Sequence, residues 1–197
     1  MQRSMALAAA IMALAASMPG HAQDLTGTQS SAEVALSDET LQLRYRDAGR
    51  NVDVGGGRVS GFFFLSEERD IVLSSDFLFP AQLGYDRLQI LFGPRAYAAL
   101  LSDENSDVFA VSLGAEIRYV LDKNSGFALS GEAFYAPDVL TFGTADNLTD
   151  LSARVEIRVQ PRLTVFGGMR WFEFDLIDNN GSQTLQEELF AGLSWSF

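Results

Sequence analysis

Charged side chains recur at alternate positions along several stretches of this sequence, as in Glu116-x-Arg118 and Arg154-x-Glu156. Residues two apart point to the same face of a β-strand, so each stretch predicts a strand with one charged face. Facing arginines and carboxylates form bidentate ion pairs, which suit a water-poor interior where a lone charge is costly. The full set of charges on such faces is Arg44, Arg46, Arg58, Asp76, Arg87, Arg95, Glu116, Arg118, Glu132, Arg154, Glu156, Arg158, Arg170 and Glu188.

This set of charges supports two interpretations. Nine of its members are arginines, although the whole chain carries a net charge of −12. In the first interpretation, the strands close into a narrow barrel. Arginines and carboxylates on neighbouring strands then pair inside it and plug it, because small barrels are filled by their own side chains. In the second, the excess of arginine lines a narrow pore or solute-binding channel for small anions. The sequence favours the plug, and alanine at Arg95, Arg118 and Arg154 would separate the two.

Catalytic and metal sites have little support in the sequence. Hydrolases and acyltransferases commonly use a histidine as general base, and the one histidine, His21, lies near the amino-terminus. The chain has no cysteine. The segment from Asp178 to Gly181 lacks the ligand spacing of a calcium loop. We therefore expect a protein that is not an enzyme and holds no cofactor or metal, and the acidic balance argues against nucleic acid as a partner.

The amino-terminal segment has the features of a secretory signal. Arg3 precedes an apolar run from Met5 to Ala16, and Gly20-His21-Ala22 supplies small residues for cleavage. This pattern predicts a signal peptide over residues 1–22, export to the periplasm, and a mature domain over residues 23–197. No other apolar run has the length of a spanning helix, so a mature chain in a membrane would cross it as strands.

The mature chain alternates apolar and polar residues, with turn-forming residues between the alternating stretches. One face of its last stretch carries Leu185, Glu187, Leu189, Ala191, Leu193, Trp195 and Phe197. The pattern predicts an all-β fold, a transmembrane antiparallel up-and-down β-barrel of about ten strands, or eight if two pairs of stretches merge. The first hairpin, within residues 33–46, is the weakest part of this count. Pro94 predicts a bulge, and residues 137–149 predict a long connection.

Aromatic residues on the apolar faces sort into two groups when the first strand starts at the periplasmic side. The lower group is Tyr45, Phe77, Phe79, Tyr119, Trp195 and Phe197, and the upper group is Phe63, Phe109, Tyr135 and Trp171. Two aromatic girdles are typical of barrels that span the outer membrane, whereas a soluble sandwich would bury its aromatics in one core. We therefore expect contact with outer-membrane lipid and lipopolysaccharide.

The closing residues Leu193, Trp195 and Phe197 end the last strand on an aromatic carboxy-terminus. This ending resembles the signal by which outer-membrane barrels are recognised for insertion, and it implies the barrel-assembly machinery as a partner.

Further stretches resemble the YfaZ family of outer-membrane proteins. They are Gly93-Pro94-Arg95, the strand from Gly114 to Tyr119, and the run from Glu132 to Leu140, and the resemblance covers nearly all of the mature chain. A more distant resemblance is to oligogalacturonate porins of the KdgM kind, which pass acidic sugars through an arginine-lined lumen. These resemblances imply a barrel in the outer membrane. They say little about activity, because the residues that carry them build the barrel.

Overall fold

The computed structural model describes residues 29–47, 57–81, 83–102, 106–176 and 182–197. These residues form β-strands and one short 3-10 turn at Asp138–Leu140. The strands are β1 (Ser31–Leu36), β2 (Thr40–Asp47), β3 (Arg58–Ser66), β4 (Ile71–Pro80), β5 (Leu88–Leu101), β6 (Ser106–Asp122), β7 (Phe127–Ala136), β8 (Thr141–Gly143), β9 (Ala145–Gln160), β10 (Leu163–Leu176) and β11 (Ser182–Ser196). Within the described ranges, no helix is long and apolar enough to cross a membrane.

The strands form a closed antiparallel barrel of ten strands, which confirms the predicted fold. Each wall strand pairs with its neighbour in the chain, and β11 pairs with β1 to close the wall. The short β8 lies outside this count. It pairs with the upper part of β6, at Val108–Ala110, beyond the end of β7. The even number of wall strands brings Ser31 and Ser196 to the same end, which we call the periplasmic end.

The outer surface of the barrel is apolar. Leu113 is 62% exposed and Leu189 is 77% exposed, and both lie on wall strands. Tyr45 and Phe197 stack at the periplasmic end with ring centroids 6.3 Å apart, and Phe109 and Tyr135 are exposed nearer the other end. An apolar outer band with aromatic residues near both ends is typical of barrels whose outer surface contacts lipid. The molecule is therefore a transmembrane barrel of the outer-membrane type.

Three local expectations need correction. Leu185 points into the barrel, because the register shifts between Phe172 and Glu173 on β10 and reverses the alternation on β11. Pro94 causes no bulge: the β4–β5 pairing is interrupted opposite it and resumes in the same register, as expected for a residue without an N–H. The connection after β7 is shorter than predicted, because β9 already begins at Ala145.

Candidate functional site in the barrel lumen

The barrel interior has three levels, which can be followed along β5 from the periplasmic end. Gln89 and Leu91 line a cavity that we call the vestibule. Arg95 lies in the middle, in a buried ion-pair network. Tyr97 and Leu101 belong to a buried apolar cluster toward the other end. β10 repeats this order, so the three levels cross the whole barrel.

Arg95 is the centre of the middle level and is 1% exposed. Its guanidinium contacts four carboxylates: Asp76 at 3.0 Å, Glu132 at 3.0 Å, Asp150 at 3.3 Å and Glu116 at 3.4 Å. These acids come from four different strands, β4, β7, β9 and β6. With its own strand β5, this one side chain joins five of the ten wall strands.

Arg95 also stacks on an aromatic ring. Its Cζ atom lies 3.6 Å from the centroid of Phe134, which is 1% exposed. The planar guanidinium can stack on the ring and use its edge donors at the same time. Phe134 therefore fixes the plane in which Arg95 meets its carboxylates.

Asp150 organises the other side of the network. It accepts two parallel hydrogen bonds of 2.8 Å from Nε and Nη2 of Arg170, and a third of 2.7 Å from the Tyr97 hydroxyl. Arg170 also donates to Gln42, which donates in turn to Gln186 at 2.8 Å. Charged and neutral polar groups thus form one connected network, as buried polar groups require.

Ion pairs on the periplasmic side of Arg95 reach across the lumen. Arg44 on β2 pairs with Glu132 on β7, although four wall strands separate β2 from β7 in either direction. Arg46 pairs with Glu33 and lies 3.2 Å from Glu132. Arg154 completes this group, since its Nη1 lies 3.0 Å from Glu33. These contacts therefore connect strands on opposite sides of the wall.

An aromatic cluster fills the interior beyond Arg95. Phe64 on β3 meets Phe172 on β10 edge to face with ring centroids 5.9 Å apart. Tyr97 and Phe174 lie 5.8 Å and 5.5 Å from the same ring. Phe64, Phe172 and Phe174 have no solvent-exposed surface. Like the ion pairs, these rings come from distant parts of the wall and meet inside the barrel.

The vestibule is a cavity of about 180 Å³ at the periplasmic end. Its lining combines five arginines with four glutamates: Arg46, Arg58, Arg118, Arg154, Arg158, Glu33, Glu116, Glu132 and Glu156. A second space of about 20 Å³ lies deeper, beside Arg44 and Arg170. Of these two spaces between described residues, the one at the periplasmic end is the larger.

Most of the predicted charges meet inside the barrel. Those that line the vestibule or join the network are Arg44, Arg46, Arg58, Asp76, Arg95, Glu116, Arg118, Glu132, Arg154, Glu156, Arg158 and Arg170. Glu188 makes no ion pair within the described residues, because its register partner Arg170 binds Asp150 instead. Arg87 is exposed before β5 and donates to the carbonyl of Leu121.

Glu33 and Asp150 lie in the interior but are not among the charges predicted there. Both are buried and ion-paired. Asp150 continues the alternation of Ser152 and Arg154 on β9, so an earlier start of that strand would have revealed it. With these two acids, the interior carries nearly as many carboxylates as arginines. The expected excess of positive charge is therefore small.

A pair of like charges lies at the rim opposite the periplasmic end. Glu39, in the turn between β1 and β2, faces Glu188, whose Oε2 is buried and finds no hydrogen-bond partner in the described part of the chain. The Glu188 carboxylate is the main cause that raises the pKa of the Glu39 carboxyl. The folded barrel therefore binds this proton more tightly than the unfolded chain does. Protonation of Glu39 therefore stabilises the fold at low pH, and this stabilisation is lost as the pH rises through the pKa of Glu39 in the folded barrel.

We expect Glu39→Gln to raise the urea midpoint of unfolding in detergent at pH 7, because it removes the repulsion by Glu188. At pH 4 the gain should shrink, since protonated Glu39 is already neutral. Asp38→Asn, in the same turn, is the matched control and should change the midpoint little at either pH. An equal gain from both variants at pH 7 would contradict the assignment of the repulsion to Glu39 and Glu188.

Comparison with protein families gives one match over almost the whole chain. The family model described as "YfaZ precursor" matches residues 3–197. The chain belongs to the YfaZ family. The resemblance inferred from its sequence motifs is thereby confirmed. A comparison with curated proteins finds no match.

Solved structures similar to this YfaZ protein include a secretin and a porin. A bacterial polysaccharide outer-membrane secretin matches with a TM-score of 0.51 at 12% identity, covering 80% of this chain and 56% of the secretin. The YfaZ chain thus spans little more than half the length of that relative. The KdgM porin, alone and in complex with disordered oligogalacturonate, gives TM-scores of 0.45 and 0.46 at 10% identity. Those matches cover 86% of this chain and 99% of the porin.

Proposed function

We propose that this protein is a closed outer-membrane barrel that does not conduct ions or solutes, and that it acts through its two ends. The observation that carries the proposal is the double obstruction of the lumen. Ion pairs such as Arg44–Glu132 join opposite walls, and the ring of Phe172 meets Phe64 and Tyr97 beyond them. Moving either level would leave buried charges unpaired or open cavities in a packed core, and both cost several kcal/mol.

Planar-bilayer recording tests the proposal directly. We expect the purified mature protein to give no discrete conductance steps in 1 M potassium chloride. A general porin in the same bilayers is the positive control for detection, and flotation of the protein with liposomes shows that it has inserted. Regular single-channel steps that depend on the amount of this protein would contradict a closed barrel.

A narrow channel for small anions is the second candidate function. It is favoured by the vestibule, where the guanidinium of Arg118 is partly open to solvent. Conduction would require the Arg95 network and the aromatic cluster to move aside together. Anion-selective steps that disappear in Arg118→Gln would favour this candidate.

A barrel that conducts nothing can act only through the molecules that its surface binds. We therefore propose a structural or surface-interaction role without catalysis. Its apolar band would meet outer-membrane lipid, and its outer rim would meet lipopolysaccharide. Export through the periplasm after removal of residues 1–22, and insertion by the barrel-assembly machinery through Leu193, Trp195 and Phe197, complete the proposal. Residues 1–28 lie outside the described part of the chain, so cleavage after Ala22 stays a prediction.

A further inference from the structure

We infer that the vestibule is a blind-ended binding site for a small free oxyanion, a carboxylate or a phosphate, that enters from the periplasm. The inference rests on the proposed closed barrel, since a blind end requires an obstructed lumen.

The carboxylates of the vestibule are already neutralised. Glu33 contacts two arginines, Arg46 and Arg154, and Glu156 contacts Arg154 and Arg118. The side chains of Glu33 and Glu156 are only 8% and 7% exposed. An incoming solute therefore meets little negative charge.

The arginines of the vestibule keep unused donors. Arg118 is engaged through Nε with Glu156 at 2.9 Å, and its side chain is 27% exposed. The guanidinium of Arg158 makes no ion pair or hydrogen bond with any described residue, although it lines the cavity. Deeper in the cavity, Arg46 is 7% exposed and its Nε is buried with no hydrogen-bond partner among the described residues. A guanidinium with free donors binds an oxyanion in bidentate geometry.

Arg158 is held at the vestibule by the turn before β7. Its side chain lies over Gly126, where an added Cβ would come within 2.8 Å of Arg158 Cβ and 3.1 Å of its Cζ. Gly126 has a φ of +63°, which glycine adopts without strain. Any other residue there would displace the guanidinium. Arg118 binds Glu156, and Arg158 lies two residues after Glu156 on the same face of β9.

The size of the cavity limits the ligand. A volume of about 180 Å³ is equivalent to about six water molecules at liquid density. A phosphate ion or a short dicarboxylate fits such a space. The chain itself has a net charge of −12, so attraction of an anion must come from these local arginines, and binding should weaken with added salt.

Isothermal titration calorimetry of the refolded mature protein, in neutral detergent at low salt, tests the site with inorganic phosphate and with succinate. We expect saturable binding of at least one of the two probes by the wild type. Arg158→Gln should weaken that binding about tenfold or more, since hydrogen bonds to charged groups are worth that much. Arg158 has no ion pair to lose, so this variant should fold normally. Arg158→Lys should bind with intermediate affinity.

Arg87→Gln is the matched control, because Arg87 is exposed before β5 and does not line the vestibule, so the substitution should leave the affinity unchanged. Absence of binding by the wild type, or equal affinity in the wild type and Arg158→Gln, would overturn the inference. Short-chain phosphatidylglycerol serves as a second probe, and its binding in the absence of phosphate and succinate binding would assign the site to a lipid headgroup and overturn it as well. Bilayer recording decides the closed barrel separately, so failure of that proposal is distinguishable from failure of this one.

Discussion

Arg95→Gln is expected to cost about 3–5 kcal/mol of folding stability, which is the usual effect of removing one partner from a buried ion pair. The substitution leaves Asp76, Glu116, Glu132 and Asp150 facing one another without their shared cation. It also removes the group that stacks on Phe134. Much of the population should fail to refold in detergent. The measurements are the fraction of heat-modifiable folded band on an unboiled gel and the urea midpoint of the remainder.

Arg95→Lys separates charge from geometry in this experiment. Lysine keeps the positive charge but has neither the planar fork nor the stacking face. The expected order of stability is therefore wild type, then Arg95→Lys, then Arg95→Gln. Arg87→Gln should lie within about 0.5 kcal/mol of the wild type, as exposed substitutions do. Equal stability of Arg95→Gln and Arg87→Gln would show that Arg95 is not the centre of the network.

Gly114→Ala is expected to destabilise the barrel by up to about 3 kcal/mol, because it overpacks the interior next to Arg95. A Cβ at this position would lie 2.6 Å from Cγ of Phe134 and even closer to the carbonyl oxygen of Ala133. The ring of Phe134 cannot retreat without losing its contact with Arg95. Chemical unfolding in detergent measures the loss, and the folded band should melt at a lower temperature.

Gly61→Ala is the control for Gly114→Ala. An added Cβ at Gly61 meets nothing within 4 Å, so the substitution should be neutral or slightly stabilising, as alanine usually is in place of a strand glycine. If both glycine variants unfolded at the same urea concentration, the close approach of Phe134 to Gly114 would not limit stability.

The fold was predictable because one simple rule governs the wall. Lipid outside demands apolar side chains at every second residue, and this alternation is easily seen in segments such as β6 and β9. The exceptions are local. Leu185 sits next to a register shift, which the alternation of one strand cannot reveal because it depends on the pairing partner.

The interior was predictable only in part, because the inner face of the wall carries both an ion-pair network and an aromatic cluster. Charges such as Arg95 and Glu132 stand out at their positions in the sequence. Phe64 and Phe172 also point inward, but inward aromatics look like interruptions of a polar pattern, and their contact across the barrel is set by tertiary structure. The sequence also does not indicate which arginine pairs with which carboxylate. Arg170 binds Asp150 and not its register partner Glu188. The stagger between strands determines which carboxylate the arginine side chain can reach.

The pairing of β1 with β11 also determines how this barrel can form. Ser31 lies opposite Ser196, and the N–H of Phe197 donates to the carbonyl of Ser30 at 2.9 Å. These partners are far apart in the chain, so bringing them together costs loop-closure entropy that no local contact offsets. We therefore expect the other hairpins to form first and the pairing of β1 with β11 to form last. Until it does, β1 and β11 present open edges that can add strands from another chain.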